Sequence, residues 1–316
     1  MAAMPLRAAR FLWQKLILAP TRGLQNNPII YKEFRSRMRT RWAQAFLLAP
    51  TLLTSVVVMI TSGLLYENNN SLNFESQRAV GSGIFAIVVI AQAVIAILIA
   101  PAVSAGALAG EHERQTYDLL RTTLLSARSL VLGKYVAAVA FIMLLILLQM
   151  PILSLAFFFG GIEPTEIVMH TTVNLVSVLY FCSAGIFISS LNRRILPATI
   201  STYVFVSMLA AILPMLFTFL GALFFSLLTF DHPSLSMEIV LAGLTLLFLA
   251  SNPAAAMISS EMFLQEEQWF WHTEVTLKNG TTLYGPAPWL LYAIFNTLLA
   301  LFFLYMTIRR VRRTER

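Results

Sequence analysis

Glu111, His112, Glu113, Arg114, Asp118 and Arg121 crowd into eleven consecutive positions of the 316-residue chain. Groups of those types, so closely spaced, could ligate a metal, shuttle a proton or grip a charged partner. The metal reading lacks ligands. Cys182 is the single cysteine, and His112, His170, His232 and His272 stand at no metal-ligand spacing. Nothing in the chain follows GxxxxGK[ST], the loop whose backbone N–H groups cradle nucleotide phosphates, so no nucleotide is expected to be held or hydrolysed here. What remains is charge pairing with another molecule.

The surroundings say where that pairing happens. The polar stretch AGEHERQTYDLLRTTLLSARSLVLGKY occupies 109–135, and neither 79–110 nor 135–162 contains a charged residue. Apolar residues make up 58% of the chain and charged ones 12%, with a mean hydropathy of +0.75. Soluble domains carry about 25% charge, so this composition belongs to an integral membrane protein. Runs of about 20 apolar residues cross the hydrocarbon as helices, which predicts spans near 44–66, 80–107, 132–159, 168–191, 196–230 and 287–308, with an extra apolar segment at 238–258. No window alternates as a membrane barrel strand does. The expected fold class is therefore all-α: about six core transmembrane helices, an N-terminal amphipathic interfacial helix, and one segment that is re-entrant or an additional span.

The interiors of these spans carry no Asp, Glu, Lys or Arg; their polar groups are Gln92, Gln149, His170, Asn174 and Asn296. Ion-coupled pumps keep ionisable groups at membrane depth, so any driving force is expected from a different polypeptide. His170, near a span end, reads as an interface residue. Ala102, Gly106 and Gly110 recur every four positions, as do Gly185 and Ser189, which lets helices approach closely.

Orientation follows from lysine and arginine. Residues 1–43 hold nine of them, 109–134 four, Arg193 and Arg194 two more, and 309–316 five, so that 20 of the 22 fall on one side and only Arg78 and Lys278 on the other. The positive-inside rule then makes both termini cytoplasmic. The organisation expected is a cytoplasmic interfacial segment at 1–43, a transmembrane domain at 44–308 with a cytoplasmic loop at 109–131 and an outer loop at 259–286, and a basic tail at 309–316. Seven simple crossings would put the tail outside. Either 238–258 enters and returns, or 196–230 is a hairpin broken at Pro214; the first is preferred because AAILPMLF holds no polar turn.

Within NPIIYKEFRSRMRTRW (27–42), Ile30, Phe34, Met38 and Trp42 recur at i, i+4 among arginines, a pattern for a helix in the interface or a plain topology anchor. The basic, acid-free MPLRAARFLWQKLILAP upstream reads as a second interfacial helix in preference to a transit peptide. On the outer side EVTLKNGTTLYG places Asn-Gly between alternating residues, the signature of a tight β-hairpin. Trp269, Phe270, Trp271 and Trp289 read as interface aromatics.

Taken as a helix, the stretch from 111 sets Glu111, Arg114 and Asp118 on one side with Arg121 further on, and Tyr117, Leu120 and Leu124 on an apolar stripe. Ser126 starts a turn, and the next helix is expected near Leu130. Physics alone leaves two readings open, a docking helix and a solvated connector.

The wording of the stretch separates them. GEHERQTYDLLRTTLLSARSLVLGK resembles the segment between the second and third spans of permease subunits of type-2 ATP-binding-cassette (ABC) transporters, whose pattern runs G-E-R-E-x-G-T-L-[ED]-L-L-x-x-T-P-L-S-P and on to G-K. Gly110, Glu111, Glu113, Thr116, Asp118, Leu119, Leu120, Thr123, Leu125, Ser126, Gly133 and Lys134 match in register. His112, Gln115, Leu124 and Ala127 replace an arginine, a glycine and two prolines. NPIIYKEFRSRMR is similar to the family's N-terminal connecting helix, AGIFISSLNRRILPATISTYVF to its fourth-to-fifth-span junction, and ASNPAAAM to the Asn-Pro element before the last span.

The resemblance implies a permease subunit, an exporter by analogy, in the plasma membrane of a prokaryote. It implies a separate ATP-hydrolysing subunit docked on 110–134, a second permease copy or related permease, and contact with membrane lipid but not nucleic acid. ATP is then bound by the partner, with no cofactor in this chain. Glu111, Glu113, Arg114 and Asp118 would couple to the ATPase, and Tyr117 and Leu120 would anchor the coupling helix. A channel, an ion-coupled carrier or a non-transporting scaffold would share the spans but need no docking helix.

Overall fold

The computed structural model describes residues 28–39, 41–68, 74–116, 126–160, 162–212, 248–265, 270–276 and 282–313, with a few single positions between 215 and 245. Helix α1 (Pro28–Met38) precedes α2 (Arg41–Asn68) and α3 (Phe74–Glu113). After the polar stretch come α4 (Ala127–Leu147), α5 (Met150–Phe159), α6 (Pro164–Leu191) and α7 (Ile195–Ser207), the last running into a π-helical turn at Met208–Ile212. Helix α8 (Pro253–Gln265), strands β1 (His272–Thr276) and β2 (Thr282–Pro286), and α9 (Pro288–Arg313) complete the order.

Five segments are long and apolar enough to cross a membrane, Leu47–Leu64, Gln77–Glu113, Ala127–Phe159, Pro164–Leu191 and Pro288–Arg313, with a shorter apolar helix at Ile195–Ala210. The five fall on five of the expected core spans and the shorter helix on the first part of 196–230, the remainder of which lies largely outside the described residues. The fold is an all-α membrane bundle with one small hairpin. Its core is layered along α3, α6 and α9. One cluster joins Ile84, Val88, Met169, Val173 and Tyr292; the next joins Ala96, Ala100, Phe181, Cys182 and Ala300. The last, at the opposite end from the hairpin, joins Leu108, Ile186, Leu304 and Val311 with Ile29, Leu130 and Val131.

In hydrocarbon the hydrophobic effect does not drive helices together, so close approach and shared hydrogen bonds must hold them. Glycine supplies the approach. A Cβ on Gly185 of α6 would overlap the hydroxyl of Ser104 on α3 and lie 2.8 Å from its Cβ; one on Gly81 would overlap the carbonyl of Gly160. Buried amides and hydroxyls supply the bonds. Asn174 Nδ2 donates to Gln92 Oε1 at 3.1 Å, Gln149 Nε2 to Thr54 Oγ1 at 3.3 Å, and Ser177 Oγ pairs with Tyr292 OH at 2.8 Å. The polar groups that the sequence places inside the spans all face the bundle interior.

Two residues read as interfacial are packed inside the protein. His170, near the start of α6, is buried with its ring edge-on to Phe85 at 5.1 Å. Trp289 is also buried, its backbone N–H on Ser260 Oγ and its indole N–H on the Phe270 carbonyl, each at 3.0 Å. Trp271 stays exposed as an interface aromatic would, and Trp269 lies outside the described residues.

The breaks are local and have named causes. The third span bends at Leu148–Gln149, where Pro151 in the first turn of α5 cannot continue the hydrogen-bond ladder. In the apolar segment at 238–258, the described part is helical to Ser251, breaks at Asn252 and resumes as α8. Asn252 Oδ1 accepts from Ala255 N at 2.9 Å, capping α8, while its Nδ2 donates to the Ala210 carbonyl at 3.1 Å. Asn296 Nδ2 in turn answers the Ala250 carbonyl at 2.8 Å. Broken backbone at membrane depth is thus answered by side chains of the bundle. The expected hairpin is present, paired from Thr276↔Thr282 to His272↔Pro286; its Asn279-Gly280 turn lies outside the described residues.

The tight crossing of α3 and α6 gives a stability test. Gly185→Val is expected to destabilise the solubilised protein by about 1–3 kcal/mol through overpacking. Gly106→Ala, whose added Cβ would meet Ile195 at an ordinary 3.8 Å, should leave the thermal unfolding midpoint nearly unchanged. Equal midpoints for both variants would show that the crossing is not a close one.

Candidate functional site

At 1.5 Å per residue the 40-residue α3 is about 60 Å long, twice the hydrocarbon thickness. The second span therefore continues as one helix through Gly110, Glu111 and Glu113, so the polar stretch begins as the rigid end of a membrane helix. It does not continue as a helix. The Gln115 N–H bonds the His112 carbonyl and the Thr116 N–H the Glu111 carbonyl, the paired bonds of a Schellman termination. Gln115, with φ of 57°, occupies its left-handed position. The single helical face expected to join Glu111, Arg114 and Asp118 is thus interrupted between Arg114 and Asp118. The returning helix opens at Ala127, three residues before the position expected, because Ser126 Oγ accepts from Ser129 N at 3.2 Å as its N-cap.

Lys134 lies two turns into α4 and is 3% exposed. Its ammonium donates to Glu111 Oε1 at 2.8 Å and Glu33 Oε1 at 2.9 Å. The second oxygen of Glu111 accepts from the Thr116 hydroxyl. One buried cation therefore ties the end of α3 to α4 and to α1. A second carboxylate makes another tie. Glu113 Oε2 accepts from Ile195 N at 2.7 Å, placing negative charge at the N-terminus of α7, where the helix dipole favours it. Beneath these polar ties, Ser189 Oγ of α6 accepts from Leu108 N and Ala109 N, both at 2.9 Å. Arg310 Nε of α9 donates to the Ser190 carbonyl at 3.1 Å.

The residues expected to couple to an ATPase are therefore not alike. Glu111, half-buried, and Glu113, exposed, bond within the chain, to Lys134 and to the start of α7, while Arg114 is exposed at the helix end. Tyr117, Asp118 and Leu120 lie outside the described residues. Glu33 and Lys134 were not among the candidate residues, although both left a signal. Glu33 is the lone acid of the first 43 residues, and Lys134 is the one charge at the edge of the expected third span. The geometry also explains the motif. Its opening glutamate and closing lysine form one ion pair across the loop, and the position where the pattern has glycine is the one with positive φ.

Among the described residues no cluster of His, Cys, Asp and Glu could hold a metal ion. The arrangement can hold charge and transmit displacement: five helix ends meet here, joined by short directional bonds. Lys134→Met would set two carboxylates face to face without their cation, and should cost roughly 3 kcal/mol or more. Glu111→Gln, which leaves Glu33 in place, should cost less. Gln115→Gly should raise the unfolding midpoint by relieving about 1 kcal/mol of left-handed strain. Thermal unfolding in detergent checks all three, and a Lys134→Met midpoint equal to wild type would remove the clamp from any functional account.

A comparison with protein-family models matches residues 27–263 to the family described as ABC-2 family transporter protein. The match takes in α1, the polar stretch with both its flanking spans, and the Asn252-Pro253 element. No curated protein matches the chain. The matched region is 237 of 316 residues, three quarters of the length. With the membrane bundle and the motif geometry, it establishes that the chain belongs to the ABC-2 transporter family, as a membrane permease component.

Proposed function

We propose that this chain is the permease of an exporter, driven by a separate ATPase subunit that binds the ATP and docks on 110–134. The observation that carries the reading is the clamp. Lys134 with Glu111 and Glu33, and Glu113 with Ile195 N, join the start and end of the polar stretch to α1 and α7. A force on the stretch is then delivered to several spans at once, as coupling between distant sites requires. The division of labour follows. Glu111 and Glu113 position the stretch, Arg114 and Asp118 meet the ATPase, and Tyr117 and Leu120 seat the docking segment on the bundle.

The end of the bundle that carries this clamp also exposes Lys32, Arg35, Arg39, Arg128, Arg193, Arg194 and Arg309, so we place it, with both termini, in the cytoplasm of a prokaryotic cell. The hairpin end then faces outward. A second permease copy, or a related chain, would complete the pathway. Ion coupling finds little support, because the charges of the described spans lie within about two turns of a helix end.

The test is copurification. Tagged permease extracted from its native membrane should bring down a protein with a Walker A motif and no spans. The double reversal Arg114→Glu with Asp118→Lys should weaken that association by about tenfold, since exposed pairs contribute up to about 1 kcal/mol each. Its unfolding midpoint should match wild type. Association unchanged by the double reversal would exclude these residues from the docking face.

A further inference from the structure

Beside the clamp lies a cavity of about 140 Å³ that the ion pairs do not use and that meets the proposed docking segment only at His112. It opens where α3, α6 and α9 end together. His112 comes from the last turn of α3, Asn192 and Arg193 from just beyond α6, and Arg310 from the last turn of α9, with Leu108 and Val311 on its apolar side. Two guanidinium groups and an imidazole thus converge from three elements, and no carboxylate is among the described residues that line it.

Basic side chains at helix C-termini often answer only the last carbonyls, so that role must be accounted for first. It is already filled. Arg310 Nε meets the Ser190 carbonyl at 3.1 Å, and Asn192 Nδ2 meets the Ile188 carbonyl at 3.0 Å. Among the described residues the nearby acids are committed as well, Glu111 to Lys134 and Glu113 to the N-terminus of α7. The charge of Arg193, which is exposed at the mouth, is in excess of what the helix ends require. Arg310, though exposed, is tethered by its Nε to the Ser190 carbonyl, which orients its guanidinium.

We propose that this cavity binds the phosphate head of an anionic phospholipid. The volume suits one phosphate with part of its glycerol. The site lies where three apolar helices leave the hydrocarbon, the level at which lipid phosphates stand. Leu191, which lines the same cavity, is 46% exposed and offers an apolar edge toward the acyl chains. A soluble phosphate would gain nothing from that edge. Arg193, Asn192 and Arg310 lie outside the proposed docking segment, and the reading does not depend on which face of the membrane is inside.

Binding to the purified full chain in detergent can be followed by native mass spectrometry and thermal shift, with phosphatidylglycerol and phosphatidylcholine as probes. Phosphatidylglycerol should be retained and should raise the unfolding midpoint, whereas phosphatidylcholine should do neither. Arg193→Gln with Arg310→Gln should weaken phosphatidylglycerol binding roughly tenfold or more, since each basic group near the surface contributes about one factor of five. Arg310→Lys keeps the charge and should keep most of the binding, which separates a lost site from a misfolded chain. Arg35→Gln with Arg39→Gln, on the exposed face of α1, should leave the retained lipid in place. The proposal is overturned if the double variant at 193 and 310 binds as wild type does, if the α1 variant loses the lipid equally, or if phosphatidylcholine is retained as well. Equal protection by millimolar inorganic phosphate would also overturn it, in favour of a soluble anion.

Discussion

An ammonium withdrawn from water costs several kcal/mol unless carboxylates follow it. Lys134 is almost wholly buried, and the two that follow it come from well-separated points earlier in the chain. Glu33 lies 101 residues before it and Glu111 only 23. That pairing constrains the architecture around it. Helix α1 must lie against α4 for Glu33 to reach. The last turn of α3 must face the second turn of α4, so entry to and exit from the polar stretch are held side by side. The left-handed turn at Gln115 and the cap at Ser126 are the local geometries that let the chain leave and return within those limits.

The bundle is held differently along its length. At the clamped end, charge-assisted bonds of 2.7 to 2.9 Å join helices that also share an apolar floor of Leu108, Leu130, Ile186 and Leu304. Deeper in, contact depends on glycine and on neutral amides and hydroxyls such as Gln92, Asn174 and Tyr292. Individual bonds of that kind in a membrane average about 0.6 kcal/mol. A helix end fixed by charge and a middle fixed by shape respond differently to force. The first holds its partners at a set distance, whereas the second permits small sliding.

Much of this was legible in the sequence, and what was not has physical reasons. Charge-free runs located the spans because hydrocarbon excludes charge over a fixed thickness. The hairpin was legible because Asn-Gly between alternating residues is a local signal. The long reach of α3 was hidden, since a change from apolar to polar side chains marks the membrane surface and not the end of a helix. His170 and Trp289 were read as interfacial from residue type near a span end, but burial depends on neighbours, here Phe85 for the one and Ser260 and Phe270 for the other. The partners of Lys134 were beyond reach for the same reason: periodicity links residues three or four apart, and Glu33 and Glu111 meet it only through tertiary packing.

The crossing of α3 with α6 at Ser104 and Gly185 has a mechanical meaning. From Ser104 to Glu113 the helix runs nine residues, about 14 Å, and from Ser104 back to Phe74 thirty residues, about 45 Å. Turned as one body about that contact, the helix is a lever with unequal arms. A displacement of 1 Å at the clamped end becomes about 3 Å at the far end, in the opposite direction. Charge-assisted bonds at the short arm, with shape and neutral hydrogen bonds along the long one, are the conditions under which such a ratio delivers movement, with Pro101 on the long arm as the place where bending would take it up.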